Sequence, residues 1–249
     1  MVLVAINIAS AIWDVRKSQE RTERRAERYY SNMTRLLAEQ TAASLDAVDL
    51  ILRDAVRTGA SRQVAAMLPR VGEELVRVPQ IGAMLVLDAH GEVLARTGST
   101  PAYDPDPVER PYLAFHRDHP GEALHLGQPY RVAPGGQWRF MLSRRLNDAE
   151  GRFDGVVAAA VEVESFDRLY HAIDIGEGGF LTVLTDQGVL ITRVPDPGNV
   201  RGRSFAGGRI MAGIRAHERF EGWTTSPISD ERVLLATSLV RGFPRSLPR

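Results

Sequence analysis

The chain runs to 249 residues, 44% hydrophobic and 25% charged, which suits one large globular domain or two of roughly 100 residues each and excludes disordered and collagen-like chains. Its 31 basic residues balance 31 acidic ones, so no net field draws nucleic acid or an anionic membrane surface to it. Cysteine is absent, which excludes disulfide frameworks, thiolate nucleophiles, thiolate zinc sites and iron–sulfur clusters together and fits an oxidising compartment.

Residues 1–13, MVLVAINIASAIW, carry no charge, and the chain then turns to Asp14, Arg16 and Lys17. The run is shorter than the roughly 20 residues of a full membrane span, and it lacks the basic start and small-residue cleavage site of a signal peptide. It reads as the outer end of a transmembrane helix that begins upstream, with Trp13 at headgroup level; the alternative is the start of a short buried helix. Residues 14–58 contain neither proline nor glycine and predict a stalk helix of about 65 Å at the usual rise per residue. Thr34, Leu37, Thr41, Leu45, Val48, Leu52 and Ala55 recur every three or four positions, the period of a packing seam. We expect one face of the stalk to meet the chain's own domain and another to meet a second copy.

After Gly59, Ser61 caps a short helix expected to break at Pro69, and a further helical stretch runs on to Val78. Residues 84–96, MLVLDAHGEVLAR, are two apolar runs around a turn ending in Gly91, a hairpin signature. Residues 181–193, LTVLTDQGVLITR, repeat it at an offset of 97, with Gly188 over Gly91 and Arg193 over Arg96. That offset is one small-domain length, so the chain is expected to hold two copies of one α+β module, over residues 59–165 and 166–249.

In the first copy, residues 138–146 and 153–163 form a second strand pair, and shorter strands fall near residues 125–132. Residues 107–117, PVERPYLAFHR, make a proline-opened short helix suited to a lid. Ser165 caps a connector carrying Phe166, Leu169, Tyr170 and Ile173 at helical spacing. The second copy has its hairpin, an irregular stretch over 195–208, a short helix over 209–216 and strands over 220–225 and 233–240. Its closing strand is expected to be missing or malformed, as in a segment of a longer protein or a shortened relative of one.

Taken together, the stalk, the repeated hairpin and three motifs give the chain a family resemblance. Glu109-Arg-Pro-Tyr-Leu-Ala-Phe-His116, Trp138-Arg-Phe-Met-Leu-Ser-Arg-Arg-Leu146 and Asp148-Ala-Glu-Gly-Arg-Phe-Asp-Gly-Val-Val157 resemble the lid helix, pocket-wall strand and hairpin return of the double Cache sensors of bacterial transmembrane receptors. The resemblance implies an α+β fold, a long N-terminal helix followed by two PAS-like antiparallel-sheet modules, the first of them membrane-distal. It implies a periplasmic, membrane-anchored sensor on the outer side of the inner membrane that binds a small molecule and signals through helix packing. The output would be a kinase, cyclase or chemotaxis domain outside this chain.

The residues themselves point to an anionic ligand. Arg110 offers a planar fork for a carboxylate, Tyr112 a hydroxyl on an apolar body, and His116 lies one helical turn beyond Tyr112. Period-two alternation puts Trp138, Phe140, Leu142, Arg144 and Leu146 on one face, so Arg144 needs a partner there. That partner is either an anionic ligand or, across the hairpin, Glu162 or Glu164. Tyr130, from the short strands, completes the candidate set. Amino-acid-binding members of the family carry a tyrosine ahead of the arginine, a tryptophan two residues after it and a distal aspartate. Here those places hold Asp106 and Tyr112, and residues 156–163 contain no aspartate. A small organic acid is therefore expected in preference to an amino acid.

Enzymatic readings gain little from the sequence. His116, His119 and His125 with Asp118 lack metal-ligand spacing on a regular helical face, and Glu73–Glu74 and Asp46–Asp49 read as solvated helix carboxylates. Gly176-Glu-Gly-Gly179 precedes a strand rather than a helix, and no serine occupies a nucleophile-elbow pattern. No catalytic residue, metal or cofactor is expected, and the partners expected are a small-molecule ligand and a second copy of the chain. The alternatives kept are a dimerising ectodomain with a vestigial pocket and, further off, a small hydrolase.

Overall fold

The apolar seam read from the stalk is realised side chain by side chain. In the computed structural model, helix α1 (Gln19–Thr58) buries Thr34, Leu37, Thr41, Leu45, Val48 and Leu52, while Leu36 and Leu50 on its other side stay exposed. The structure describes residues 2–8, 19–74, 78–98, 110–121, 123–132, 136–176, 178–217 and 220–242. Helix α2 (Ser61–Glu74) follows and continues through Pro69. A break was expected there because proline removes a hydrogen-bond donor and crowds the preceding turn. Burial of Val64 and Leu68, with α2 packed on the first hairpin, offsets that loss.

The chain divides into two units, one of residues 43–165 and one of residues 1–42 with 166–249. The first holds β2 (Ile81–Asp88), β3 (Val93–Gly98), α3 (Pro111–Asp118), β4 (His125–Leu126), β5 (Tyr130–Arg131), β6 (Trp138–Asn147) and β7 (Phe153–Glu162). Its sheet is antiparallel in the order β3-β2-β7-β6-β4, with β5 also paired to β6. Strands β6 and β7 are buried over nearly their whole length, because helices cover one face and α3 the other.

Helix α4 (Val163–His171) leads into the second unit. It starts two residues before the expected cap, and Ser165 instead donates its hydroxyl to the Glu162 carbonyl at 2.6 Å. The second unit holds β8 (Leu181–Thr185), β9 (Leu190–Val194), α5 (Arg209–His217), β10 (Glu221–Thr225) and β11 (Arg232–Val240). The repeated hairpins share a turn: Gly91 N donates to Asp88 O at 3.1 Å and Gly188 N to Thr185 O at 2.9 Å. Both glycines have positive φ, which side-chain-bearing residues rarely adopt.

The N-terminal segment departs from its reading. Residues 2–8 are a strand, β1 (Val2–Ile8), not the end of a helix, and they lie between β8 and β11 in an antiparallel sheet of order β10-β11-β1-β8-β9. Residues 9–13 fall outside the described residues. A run of seven residues rich in valine and isoleucine suits a buried strand as well as a helix, and hydrophobicity alone does not separate the two. In the first sheet the position between the hairpin and the neighbouring long strand belongs to that module's own last strand, β7. In the second sheet β1 fills the corresponding position, which is where the closing strand was expected to be missing.

Candidate functional site

Two faces of the six-stranded sheet bury polar groups in different ways. Along β6, Phe140, Leu142 and Arg144 alternate with Arg139, Met141, Ser143 and Arg145. Arg144 lies on the α1 side, where its Nε donates to Asp49 Oδ1 at 2.6 Å and its Nη2 to Asp49 Oδ2 at 3.0 Å. This bidentate pair is nearly sealed, at 8% and 4% side-chain exposure. The partner of Arg144 is thus Asp49, neither of the glutamates foreseen for it. Trp138 shares that parity; its backbone N–H donates to Glu164 at 3.0 Å and Arg131 lies over its ring at 5.1 Å.

The opposite face looks toward α3. Proline at the first helical position sets the helix direction, and Tyr112, Leu113 and His116 are buried on its inner side. Tyr112 and Leu113 pack with Ala83, Leu87, Met141, Val156, Ala158 and Ala160, and Tyr130 joins from the edge. Cross-strand rows set the floor: Ala83, Ala160 and Met141 stand in one, and Leu85, Ala158 and Ser143 in the next. His116 Nε2 meets Ser143 Oγ at 3.0 Å, and Tyr130 donates its hydroxyl to Met141 sulfur at 3.3 Å.

At one end of this face Arg139, 2% exposed, pairs through Nη2 with Glu162 at 3.2 Å. Its Nε and Nη1 are buried with no hydrogen-bond partner among the described residues. Gly82 lies against this pair so closely that a Cβ there would stand 2.6 Å from Glu162 Oε1 and 2.9 Å from Arg139 Nη2. At the other end, Arg110 donates from Nη1 to the Gly91 carbonyl of the hairpin turn, and Arg145 donates to the carbonyl of His116.

Burial and the neighbouring His125 push His116 down to about 3, and burial with His119 pushes His125 down to about 4. Both rings are therefore neutral at pH 7, each with a buried Nδ1 that has no partner among the described residues. Phe115 holds the cluster together, stacked on His119 at 4.5 Å and tilted against His125 at 4.6 Å. Among the described residues no set of three histidine or acidic side chains is placed to hold a metal ion.

Of the six residues read from the sequence, Tyr112, His116 and Tyr130 gather on the α3 side, Arg110 reaches the hairpin turn, and Trp138 and Arg144 have the other strand parity. Arg139 and Ser143, which share the α3 side, were not among the candidates read from the sequence, and Glu162 was considered only as a partner for Arg144. The signal was present in the alternation, which names two faces and does not say which one a lid covers.

A sequence model of the Cache domain matches residues 13–244. The chain belongs to that family. The extracellular domain of rpHK1S-Z16, named as a histidine kinase, is 26% identical with a TM-score of 0.73, over 90% of this chain and 91% of that one. The ligand-binding domain of the Pseudomonas fluorescens chemoreceptor CtaA, solved with L-isoleucine, shares the fold at 15% identity and a TM-score of 0.60, over 89% and 95% of the two chains. That of the Pseudomonas aeruginosa PAO1 amino acid chemoreceptor PctC, solved with GABA, does so at 14% and 0.56, over 85% and 97%. No curated protein matches the chain in sequence. The double Cache reading with its α+β architecture therefore holds, and this Cache domain is a sensor domain of the type that membrane receptors carry outside the cytoplasm. No helix among the described residues is long and apolar enough to cross a membrane.

Proposed function

We propose that this Cache domain senses a small organic acid held between α3 and the six-stranded sheet. The observation that carries the reading is Arg139, a buried guanidinium with two nitrogens unpartnered among the described residues, on a face floored by Ala83, Ala158 and Ala160. Buried donors left open carry a desolvation cost that a carboxylate removes, and a guanidinium fork suits a carboxylate. Tyr130, Ser143 and the open Nδ1 of His116 offer hydrogen bonds to a second polar group, so a hydroxy acid or short dicarboxylate fits better than a bare aliphatic acid. Arg110 and Tyr112 act from α3, Arg110 by fixing the helix start to the turn at Gly91.

A second reading has its own observation. Glu162 stands beside Arg139 and supplies an amine acceptor that an α-amino acid would use, as the ligands of CtaA and PctC would suggest by analogy. Thermal denaturation with malate, succinate, aspartate and methylammonium separates the two. Malate or succinate raises the melting temperature with concentration in the organic-acid reading, and aspartate does so alone in the amino-acid reading. Either shift disappears in Arg139→Gln. A shift that survives Arg139→Gln, or no shift with any of the three acids, overturns the site.

Signalling is proposed to run through α1 in a homodimer. Tyr29, Leu36 and Leu50 are 54–62% exposed and fall on one seven-residue register. Leu36→Glu with Leu50→Glu should shift sedimentation toward the monomer without changing ligand affinity.

A further inference from the structure

The second unit carries a cleft of its own, of about 440 Å³, between α4, the segment after it and β9. Its floor holds Phe180, Arg193 and Val194, all buried, and its walls include Ile173, Ile175 and Pro197. Arg193 is 7% exposed and lies over the Phe180 ring at 4.1 Å, a stacking that holds the guanidinium plane in place. Its Nε is buried without a hydrogen-bond partner among the described residues. Thr182, its register partner across β8 and β9, also buries a hydroxyl with no partner among the described residues. Cross-strand partners share a face, so two incomplete polar groups stand side by side.

The repeated hairpin sharpens the point. Arg96 occupies the corresponding position in the first copy and is exposed, as expected for a charged residue on a hairpin strand. Only the second copy buries it, beside a cleft.

We infer that this cleft is a second ligand site, taking a short aliphatic monocarboxylate whose carboxylate meets Arg193 and whose hydrocarbon tail lies along Ile173, Ile175 and Val194. The charge balance supports a single negative charge. Burial lowers the Arg193 pKa and so disfavours its cationic form, while Asp196 and Glu231 nearby favour it. Asp196 is already engaged, accepting from Val200 N at 3.1 Å and facing Arg201 at 3.6 Å. A dicarboxylate would bring its second charge toward those acids and Asp174 on the rim.

Titration calorimetry on the full chain with butanoate, and with succinate and 1-butanol as controls, tests this. Butanoate should bind at one saturable site, and succinate and butanol should not compete for it. Arg193→Gln and Ile175→Trp, the latter filling the cleft without touching the cation, should each weaken butanoate by at least about tenfold. Arg139→Gln should leave it unchanged, which separates this site from the one under α3. Should Arg193→Gln fail to fold, Ile175→Trp decides alone. Butanoate binding that survives Ile175→Trp, that is lost in Arg139→Gln, or that is absent up to about 10 mM overturns the inference.

Discussion

Arg144 and Arg139 lie on one strand, are both buried and behave in opposite ways. Arg144 meets Asp49 with two hydrogen bonds, a closed pair joining α1 to the sheet. Arg139 meets Glu162 through a single nitrogen and leaves two others open. Buried charge carries a large desolvation cost, so a chain keeps it where it is fully paired or where a partner arrives later. The α1 side of the sheet holds a fully paired charge, and the α3 side holds the open donors on which the proposed ligand site rests.

Breaking the closed side should have the largest effect. Asp49→Ala strands a buried guanidinium and should destabilise the chain by about 3–5 kcal/mol in chemical denaturation. Asp49→Leu with Arg144→Met should recover most of that loss. A loss under about 1 kcal/mol for Asp49→Ala would place that pair among solvent-screened surface contacts.

Acid should act next, on the α3 side. His116 and His125 have folded pKa values below the usual histidine value near 6.5. The unfolded chain therefore binds more protons between that value and about 3 to 4. The stability they contribute is intact above about pH 6.5 and is lost as the pH falls through that window, on the order of 1 kcal/mol per histidine per pH unit. Denaturation midpoints from pH 7 to 4.5 should fall, and His116→Asn with His125→Gln should flatten the slope; an unchanged slope would put the titration elsewhere.

Smaller still is Tyr170→Phe in the other unit, where the phenol meets Thr41 Oγ1 at 2.6 Å. Thr41 also donates to Leu37 O at 2.7 Å, so the loss should be about 1 kcal/mol. Arg152→Ala, at the exposed ion pairs with Asp148 and Glu150, should leave the midpoint unmoved; a measurable shift would show that exposed pairs contribute here after all.

Periodicity over α1 named Thr34, Leu37, Thr41, Leu45, Val48 and Leu52, all of them buried, because a helix with one wet face leaves a one-sided pattern; it passed over Ala38 and Asp49, which are buried too. The paired hairpins were legible through Gly91 and Gly188, since a positive-φ turn restricts residue choice. Strand β6 was legible as a strand over residues 138–146, but the roles of its two faces were not, because both are dry and hydrophobicity no longer distinguishes them. Asp49 lies 95 residues from Arg144 and looks from the sequence like any acid on an amphipathic helix. The run at residues 2–8 suited a helix end and a strand equally, and only the sheet it joins selects between them. Arg193 was visible merely as a position in a repeat; its burial against Phe180 depends on tertiary packing that no local pattern carries.

Amide hydrogen exchange with and without the acid that gives the largest thermal shift tests the α3-side site most directly. Exchange should slow in α3, at the end of β6 around Arg139 and in β7, and remain unchanged along α2. Protection confined to other segments, with α3 and β6 unaffected, would contradict a ligand site on that face.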